Sequence, residues 1–462
     1  MGNTIRQYAA ALRLAWPLAL GMANNAVMQF VDRVFLAHES VASLEAVLRA
    51  AVFAGTFLCL AQAVVGYSGT FVAQYHGAGD AAGERRSYFA GLLLAGFSAL
   101  ALLALIPLGC AALNAFSMSS AVAAREKTYY SIVMLGGFSL CGTMAASGYF
   151  SALGRTRLVF AVNLVGNALN VLLDWLLIFG CGPVPAMGIA GAAWATVAAQ
   201  TFQMVALNAW VFCSWRAAAR RPADDNAAAV RPERGEGLWT TFGKVLKYGL
   251  PSGLYSFLNL LSFTVFVSFT GTVGDLELAV SNAAFTVNYL LFAPIEGFSV
   301  AAGILVGRSM GADDPAGAAR AGTRMLVLAE VYIVVMSALI LLFSRPILDL
   351  FLAKGAAAGF DPAAFHALGL KLFLIMAAWQ CFDTADMVWS GALKGAGDTR
   401  FVMKWMLVCA FGFWLPLVFV TYTLSPTMPE LWSTMVAYVV LICIGTWWRW
   451  RFGSWRRIRL LA

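Results

Sequence analysis

Apolar residues run along this chain in long unbroken stretches separated by short polar breaks. Twelve stretches stand out, at 12–37, 46–76, 88–113, 127–152, 158–181, 188–215, 243–272, 277–309, 324–345, 366–392, 401–424 and 431–452. Each matches or exceeds the roughly 20 residues that a helix needs to cross a bilayer. A membrane barrel would alternate apolar and polar positions. Leu92 to Leu108 and Met325 to Phe343 are continuous instead. The pattern predicts an all-α polytopic membrane protein with twelve transmembrane helices. The longest polar connection, Arg216 to Thr241, holds RRPADDN and RPERGEG and reads as a solvated linker. It divides the chain into a six-helix lobe over 1–215, a cytoplasmic linker over 216–241 and a second six-helix lobe over 242–462.

Composition agrees. Of 462 residues 61% are apolar and 12% charged, against about 25% charged in soluble domains. A soluble enzyme is excluded. Met1 to Arg13 is short and polar and leads into a full-length span, so no cleavable leader is expected. The net charge of +8 is a matter of topology. With the N-terminus inside and the spans alternating, 24 Lys and Arg face the cytoplasm and 5 face outward. That bias places both termini in the cytoplasm of a cell inner (plasma) membrane protein. Anionic lipid headgroups are the expected partners of these charges, and nucleic acid is not. The eight cysteines sit singly, without a CxxC pair or a disulfide framework. Three scattered histidines, no HExxH and no Walker sequence leave no enzyme chemistry and call for no cofactor.

The chain also repeats. At an offset of 234, Pro17 maps to Pro251, Leu20 to Leu254, Asn25 to Asn259, Phe35 to Phe269 and Val72 to Val306. Gly77, Ala78, Asp80 and Gly83 map to Gly311, Ala312, Asp314 and Gly317. Further on the offset is 243, and the turn GRTR (154–157) meets GDTR (397–400). The extra residues fall around Lys354 to Pro362. Six spans per half give both halves the same orientation, with an axis along the membrane normal, as in transporters built from parallel repeats. Pro17 and Pro251 coincide under the repeat and are candidates for helix bends.

Span two followed by VAQYHGAGD (72–80), span eight followed by VGRSMGADD (306–314), and the GRTR and GDTR turns together resemble the multidrug and toxic compound extrusion (MATE) family. WPLALGMANNAVMQFVDRVFLAH (16–38) is similar to that family's first helix, and GLPSGLYSFLNLLSFTVFV (249–267) to its seventh. The resemblance covers nearly the whole chain. It implies two six-helix lobes, alternating access, and export of small organic cations against an inward flow of protons or sodium ions. A monomer is expected.

Ionisable groups in mid-membrane cost about 2.5–3.5 kcal/mol on insertion scales and mark function by default. Asp32, Asp174, Glu296, Asp383 and Asp386 stand in apolar stretches, so the interior is acidic and suits a cation. Arg33 and Arg49 lie toward helix ends, and a static ion pair with Asp32 is the structural alternative to a coupling role. Asn170 and Asp174, four apart, share a helix face. The resemblance implies that Asp32, Asn170, Asp174 and Thr196 form a cation- or proton-coupling cluster in the first lobe. Oxygen ligands of these types suit a hard cation or a proton relay.

In the second lobe Asp383 matches the family's tenth-helix aspartate, and Asp386 follows on the same face. Asn259 departs from the pattern of the NorM-type branch, where a glutamate stands, and Glu296 is a candidate replacement. Together Asn259, Glu296, Asp383 and Asp386 make a candidate second-lobe cation or substrate site. The acids do not obey the repeat: Asp32 maps to Phe266, Asp174 to Leu417 and Asp383 to Leu140. A frame shared by both halves with chemistry concentrated in one favours a single-lobe coupling site, and protons are the expected driving ion. A lipid-linked oligosaccharide flippase of the wider superfamily would need a basic cavity instead. A non-transporting scaffold would leave both acids and repeat unexplained.

Overall fold

The computed structural model describes residues 2–39, 41–116, 120–181, 183–219, 237–352, 360–425 and 427–461. Most of the expected linker over 216–241, and the start of the segment around Lys354 where the repeat offset changes, lie outside the described residues. Among the described residues all regular structure is helical, apart from one isolated bridge between Cys181 and Val184.

The long helices are α1 (Gly2–Glu39), α2 (Ala46–Ala78), α3 (Ala81–Ala115), α4 (Val122–Ala152), α5 (Thr156–Phe179), α6 (Ile189–Ala219), α7 (Leu238–Thr270), α8 (Asp275–Gly311), α9 (Pro315–Leu342), α10 (Pro362–Ala396), α11 (Thr399–Leu424) and α12 (Met428–Phe452). Ten of them are both long and apolar enough to cross a membrane; α1 and α6 have the length, 38 and 31 residues. Several overrun the apolar stretches that announce them, α1 from Gly2 and α3 from Ala81, because helical hydrogen bonding continues into polar ends. Local signals fix other boundaries. Asp361 caps α10 by accepting from the Ala363 and Ala364 N–H groups, with Pro362 in the first turn. Gly397, at φ 98°, ends it in a left-handed turn.

The helices form two compact units. The first comprises Leu20–Phe257, Gly307–Asp314 and Arg459–Ala462; the second comprises Met1–Ala19, Leu258–Val306 and Pro315–Ile458. The chain passes between them inside α1 and α7, shortly after Pro17 and Pro251, inside α8 after Val306, and again before Pro315 and Arg459. A helical proline removes one N–H and crowds the carbonyl four residues back, so the changeovers in α1 and α7 each follow a weakened turn.

In the first unit α2 and α4 touch backbone to backbone: a Cβ on Gly69 would lie 2.9 Å from Gly148 Cα. Leu36, Val47, Ile178 and Ile189 form an apolar cluster flanked by Phe35 and Tyr129. The two repeat-related motifs also meet here. A Cβ on Gly77 would lie 1.9 Å from the Arg308 carbonyl oxygen, and one on Gly311 would lie 1.8 Å from that of Gln74. Gln74 and Arg308 are themselves repeat partners, so the crossing is reciprocal. The Arg308 guanidinium fastens it, donating from Nε and Nη2 to the Ala152 carbonyl at 2.8 and 2.6 Å.

The second unit is built on aromatic packing. Trp414 stacks on Tyr438 at 4.6 Å and Phe285 on Trp432 at 4.7 Å. The indole N–H groups are satisfied, Trp432 by Ser281 at 3.1 Å and Trp414 by Thr434 at 3.2 Å. Helix α11 widens to a π-helix over Val408–Trp414. Pro416 follows directly and cannot donate back to residue 412, which accounts for the local change of hydrogen-bond register.

Candidate functional site

Polar side chains line one face of α5. Asn163, Asn167, Asn170 and Asp174 recur at helical spacing, and Asn167, Asn170 and Asp174 are buried. Buried polar groups demand partners, and the neighbouring helices supply them. With the Asn170 amide assigned the orientation that pairs both its groups, Nδ2 donates to Asp32 Oδ1 on α1 at 3.1 Å and Oδ1 accepts from the Thr196 backbone N–H on α6 at 3.3 Å. Asp32 and Asp174 lie within side-chain hydrogen-bond reach of each other. A hydrogen bond between two carboxyl groups requires one proton, since neither carboxylate can donate. Tyr129 of α4 is half-buried and lies in the field of both acids.

Asp32, Asn170, Asp174 and Thr196 are therefore brought together, with one difference in detail. The Thr196 hydroxyl donates to Ala192 O of its own helix at 3.0 Å, so α6 offers the cluster a backbone N–H. Arg49 pairs with the buried Glu126 at 3.1 Å; Arg33 is exposed and acts on Asp32 through space. Next along α5, Asn167 donates to Asn25 at 2.8 Å and accepts from Gln203 at 3.2 Å. Sequence reasoning missed Tyr129, one tyrosine among 13 with no marking pattern. It also missed the amide chain, although the asparagine spacing on α5 was a readable signal.

In the second unit Asp386 is buried between α10 and α12. Its Oδ1 accepts from the Thr446 hydroxyl at 2.8 Å and from Ser390 at 3.5 Å. Asp383, one turn earlier and half-buried, faces it electrostatically. Cys409 of the π-segment and Cys443 of α12 also lie in the field of Asp386. Glu296 of α8 is solvent-accessible and interacts with Lys394. Asn259 of α7 is half-buried. Its carbonyl accepts from Ser262 at 2.9 Å, and among the described residues no hydrogen bond joins its side chain to these acids. Two charged groups here escaped the sequence reading. Glu330 of α9 faces Cys381 and Cys443, and it was legible as an acid in an apolar stretch. Lys394 counted only as a cytoplasm-facing cation, yet it sits half-buried near the end of α10. At the place that the repeat pairs with Asp32, Phe266 is fully buried against Trp414 and Phe285.

A frame of long apolar helices with buried carboxyl groups inside it defines a polytopic membrane protein that holds ionisable groups in its interior. The MatE family model matches residues 17–176 and 251–420, and the chain belongs to that family. It is 27% identical over 441 residues, 93% of this chain and 87% of the relative, to the probable multidrug resistance protein NorM of Thermotoga maritima. It is 27% identical over 451 residues, 94% and 90% respectively, to the multidrug resistance protein PmpM of Pseudomonas aeruginosa. Among solved structures, a MATE crystallised in complex with MaL6 superposes with a TM-score of 0.82 at 18% identity, covering 98% of each chain. A MOP superfamily transporter from Pyrococcus furiosus, described as having a binding pocket of reverse polarity, superposes at 0.81 and 18%, covering 98% of this chain and 97% of that one.

Proposed function

We propose that this protein is a secondary active antiporter that exports cationic, amphipathic compounds in exchange for protons by alternating access. The observation that carries the reading is the Asp32–Asn170–Asp174 cluster, with Asn170 and Asp174 buried and Asp32 half-buried. Two carboxyl groups in hydrogen-bond reach form a site that holds one proton, and Asn170 orients Asp32 toward it. Losing the proton leaves two like charges side by side. That charge change is what a two-state carrier needs to couple proton binding to its conformational equilibrium. The changeovers behind Pro17 and Pro251 are natural places for α1 and α7 to bend in that equilibrium.

The names of the NorM and PmpM relatives support multidrug export. Fold alone does not set pocket polarity, as the description of the P. furiosus transporter indicates, so the acids of this chain decide its substrate charge. Asp383, Asp386 and Glu296 suit an organic cation and disfavour a phosphate-bearing lipid carrier. The chain works as a monomer in a cell inner membrane, with both termini in the cytoplasm and its basic loops against anionic lipid headgroups.

The test is ethidium efflux from proteoliposomes under imposed pH and sodium gradients, applied separately. Efflux in sodium-free buffer under the pH gradient is expected. Efflux that needs the sodium gradient at symmetrical pH would move the coupling to sodium, and absence of efflux under both would remove the export reading.

A further inference from the structure

Each acid of the Asp32–Asp174 pair is followed by an apolar residue four positions further along its own helix, on the same face. Leu36 follows Asp32 on α1 and Ile178 follows Asp174 on α5, each about 6 Å further along the axis. Both are 1% exposed. They belong to one apolar cluster with Val47 of α2 and Ile189 of α6. No side chain of this layer can donate or accept a proton, so a proton crosses it only where water penetrates.

A cleft of about 520 Å³ opens beyond this layer. Ile178 and Ile189 line it, together with His38, Glu39, Arg125 and Met187. Its wall is fixed by backbone. The Met187 and Gly188 N–H groups donate to the Leu177 and Ile178 carbonyls at 2.9 and 3.2 Å. A Cβ on Gly191 would lie 2.4 Å from the Leu177 carbonyl oxygen, so α5 and α6 touch there. Phe35 and Phe179 meet edge to face at 6.0 Å and join α1 to α5. His38, Glu39 and Arg125 are exposed, and polar groups of this kind let a cleft hold water. The water-bearing cleft and the acid pair are thus separated by the side chains of a single apolar layer. The two acids differ in access: Asp174 is fully buried, whereas Asp32 is half-buried.

We infer that this cleft is a proton port of the first unit and that Leu36, Val47, Ile178 and Ile189 are its gate, so that protons reach Asp174 by a route the drug does not share. This rests on the export reading for the driving ion and on the charge asymmetry, which sets the cleft on the outer side. The backbone bonds hold the wall in place, so only side chains move when the gate parts. A gap made by side-chain rotation admits water and excludes a polycyclic drug. Ile178 is the central gate residue, because it lines the cleft and stands directly above Asp174 on the same helix face.

The test is carboxyl labelling of the full chain in intact cells with a water-soluble, membrane-impermeant carbodiimide and an amine, mapped by mass spectrometry after purification. Glu39, exposed in the cleft, is the internal reference. In Ile178→Ala, labelling of Asp174 relative to Glu39 should rise about tenfold, equal to about 1.4 kcal/mol taken from the closed layer. Met187→Trp fills the cleft from a position 39% exposed, where folding tolerates it. It should slow labelling of Asp174 several-fold and leave that of Asp32 unchanged. Unchanged Asp174 labelling in Met187→Trp, or equal slowing at both acids, would overturn the inference even if Ile178→Ala fails to fold. Labelling of Glu39 only after the cells are opened would invert the topology and overturn it as well. In proteoliposomes without drug, Ile178→Ala should leak protons where the parent chain does not, and a tight Ile178→Ala would count against the gate. None of these readouts requires drug transport, so absence of ethidium efflux would remove the export reading while the labelling still decides whether the cleft leads to Asp174.

Discussion

Asp32 and Asn167 lie on neighbouring polar clusters of the first unit, yet they should respond differently to substitution. Asp32→Asn keeps a hydrogen-bonding side chain beside Asp174 but removes the pair's shared proton. Efflux driven by a pH gradient should vanish while expression and melting temperature stay near those of the parent chain. Full efflux by a well-folded Asp32→Asn would end the coupling role. Asn167→Leu strips Asn25 and Gln203 of their partner. Leaving buried polar groups unmatched costs about 1–3 kcal/mol, so this variant should melt lower and still couple. Single-residue chemistry was the part most legible in the sequence, because charge in an apolar stretch is conspicuous. Lys394 was not, since a lysine three residues before a turn reads as a surface cation whether or not its side chain is half-buried. Tyr129 was hidden for a related reason: aromatic residues are common in these helices, and only packing distinguishes the one beside two carboxyl groups.

Among the helices, the informative contacts are backbone crossings at glycine. Gly77→Ala and Gly311→Ala would each drive a methyl group into a carbonyl oxygen closer than 2 Å, with no flexible side chain to yield. Overpacking of this kind costs about 1–3 kcal/mol. Both variants should lower the melting temperature and the efflux rate. Gly96→Ala on α3, where nothing lies within 4 Å, should leave both unchanged or raise the melting point slightly. Equal effects at all three sites would mean that the crossing is not under steric constraint. The repeat in the sequence announced that the Gly77 and Gly311 motifs are equivalent. It did not announce that they touch each other, since an offset relates residues by symmetry and carries no distance. The π-segment of α11 was likewise invisible, although Pro416 is its evident cause.

Across the whole chain, hydropathy and basic-residue asymmetry made the class of protein readable before any coordinates. Continuous apolar stretches have one structural solution in a membrane, because each helix satisfies its own backbone. The division into compact units was less legible. The sequence pattern placed its division in the polar linker, whereas the compact units divide inside α1, α7 and α8, where the chain is covalently continuous and the sequence shows at most a proline. The orientation proposed here is open to direct labelling. Cys181 is exposed in the connection between α5 and α6, which the charge asymmetry places outside. In a variant keeping only this cysteine, a membrane-impermeant maleimide should label intact cells. A lone cysteine introduced as Arg234→Cys should be labelled only after the cells are opened. The reverse pattern would invert the topology.

The central claim is that drug and proton use one carrier through the Asp32–Asp174 pair. Calorimetry of ethidium binding to the purified chain, repeated in buffers of different ionisation enthalpy, reports the protons exchanged on binding. The account predicts net proton release by the parent chain near neutral pH, and none attributable to the pair in Asp32→Asn. Binding without proton release, or release that persists undiminished in Asp32→Asn, would contradict it.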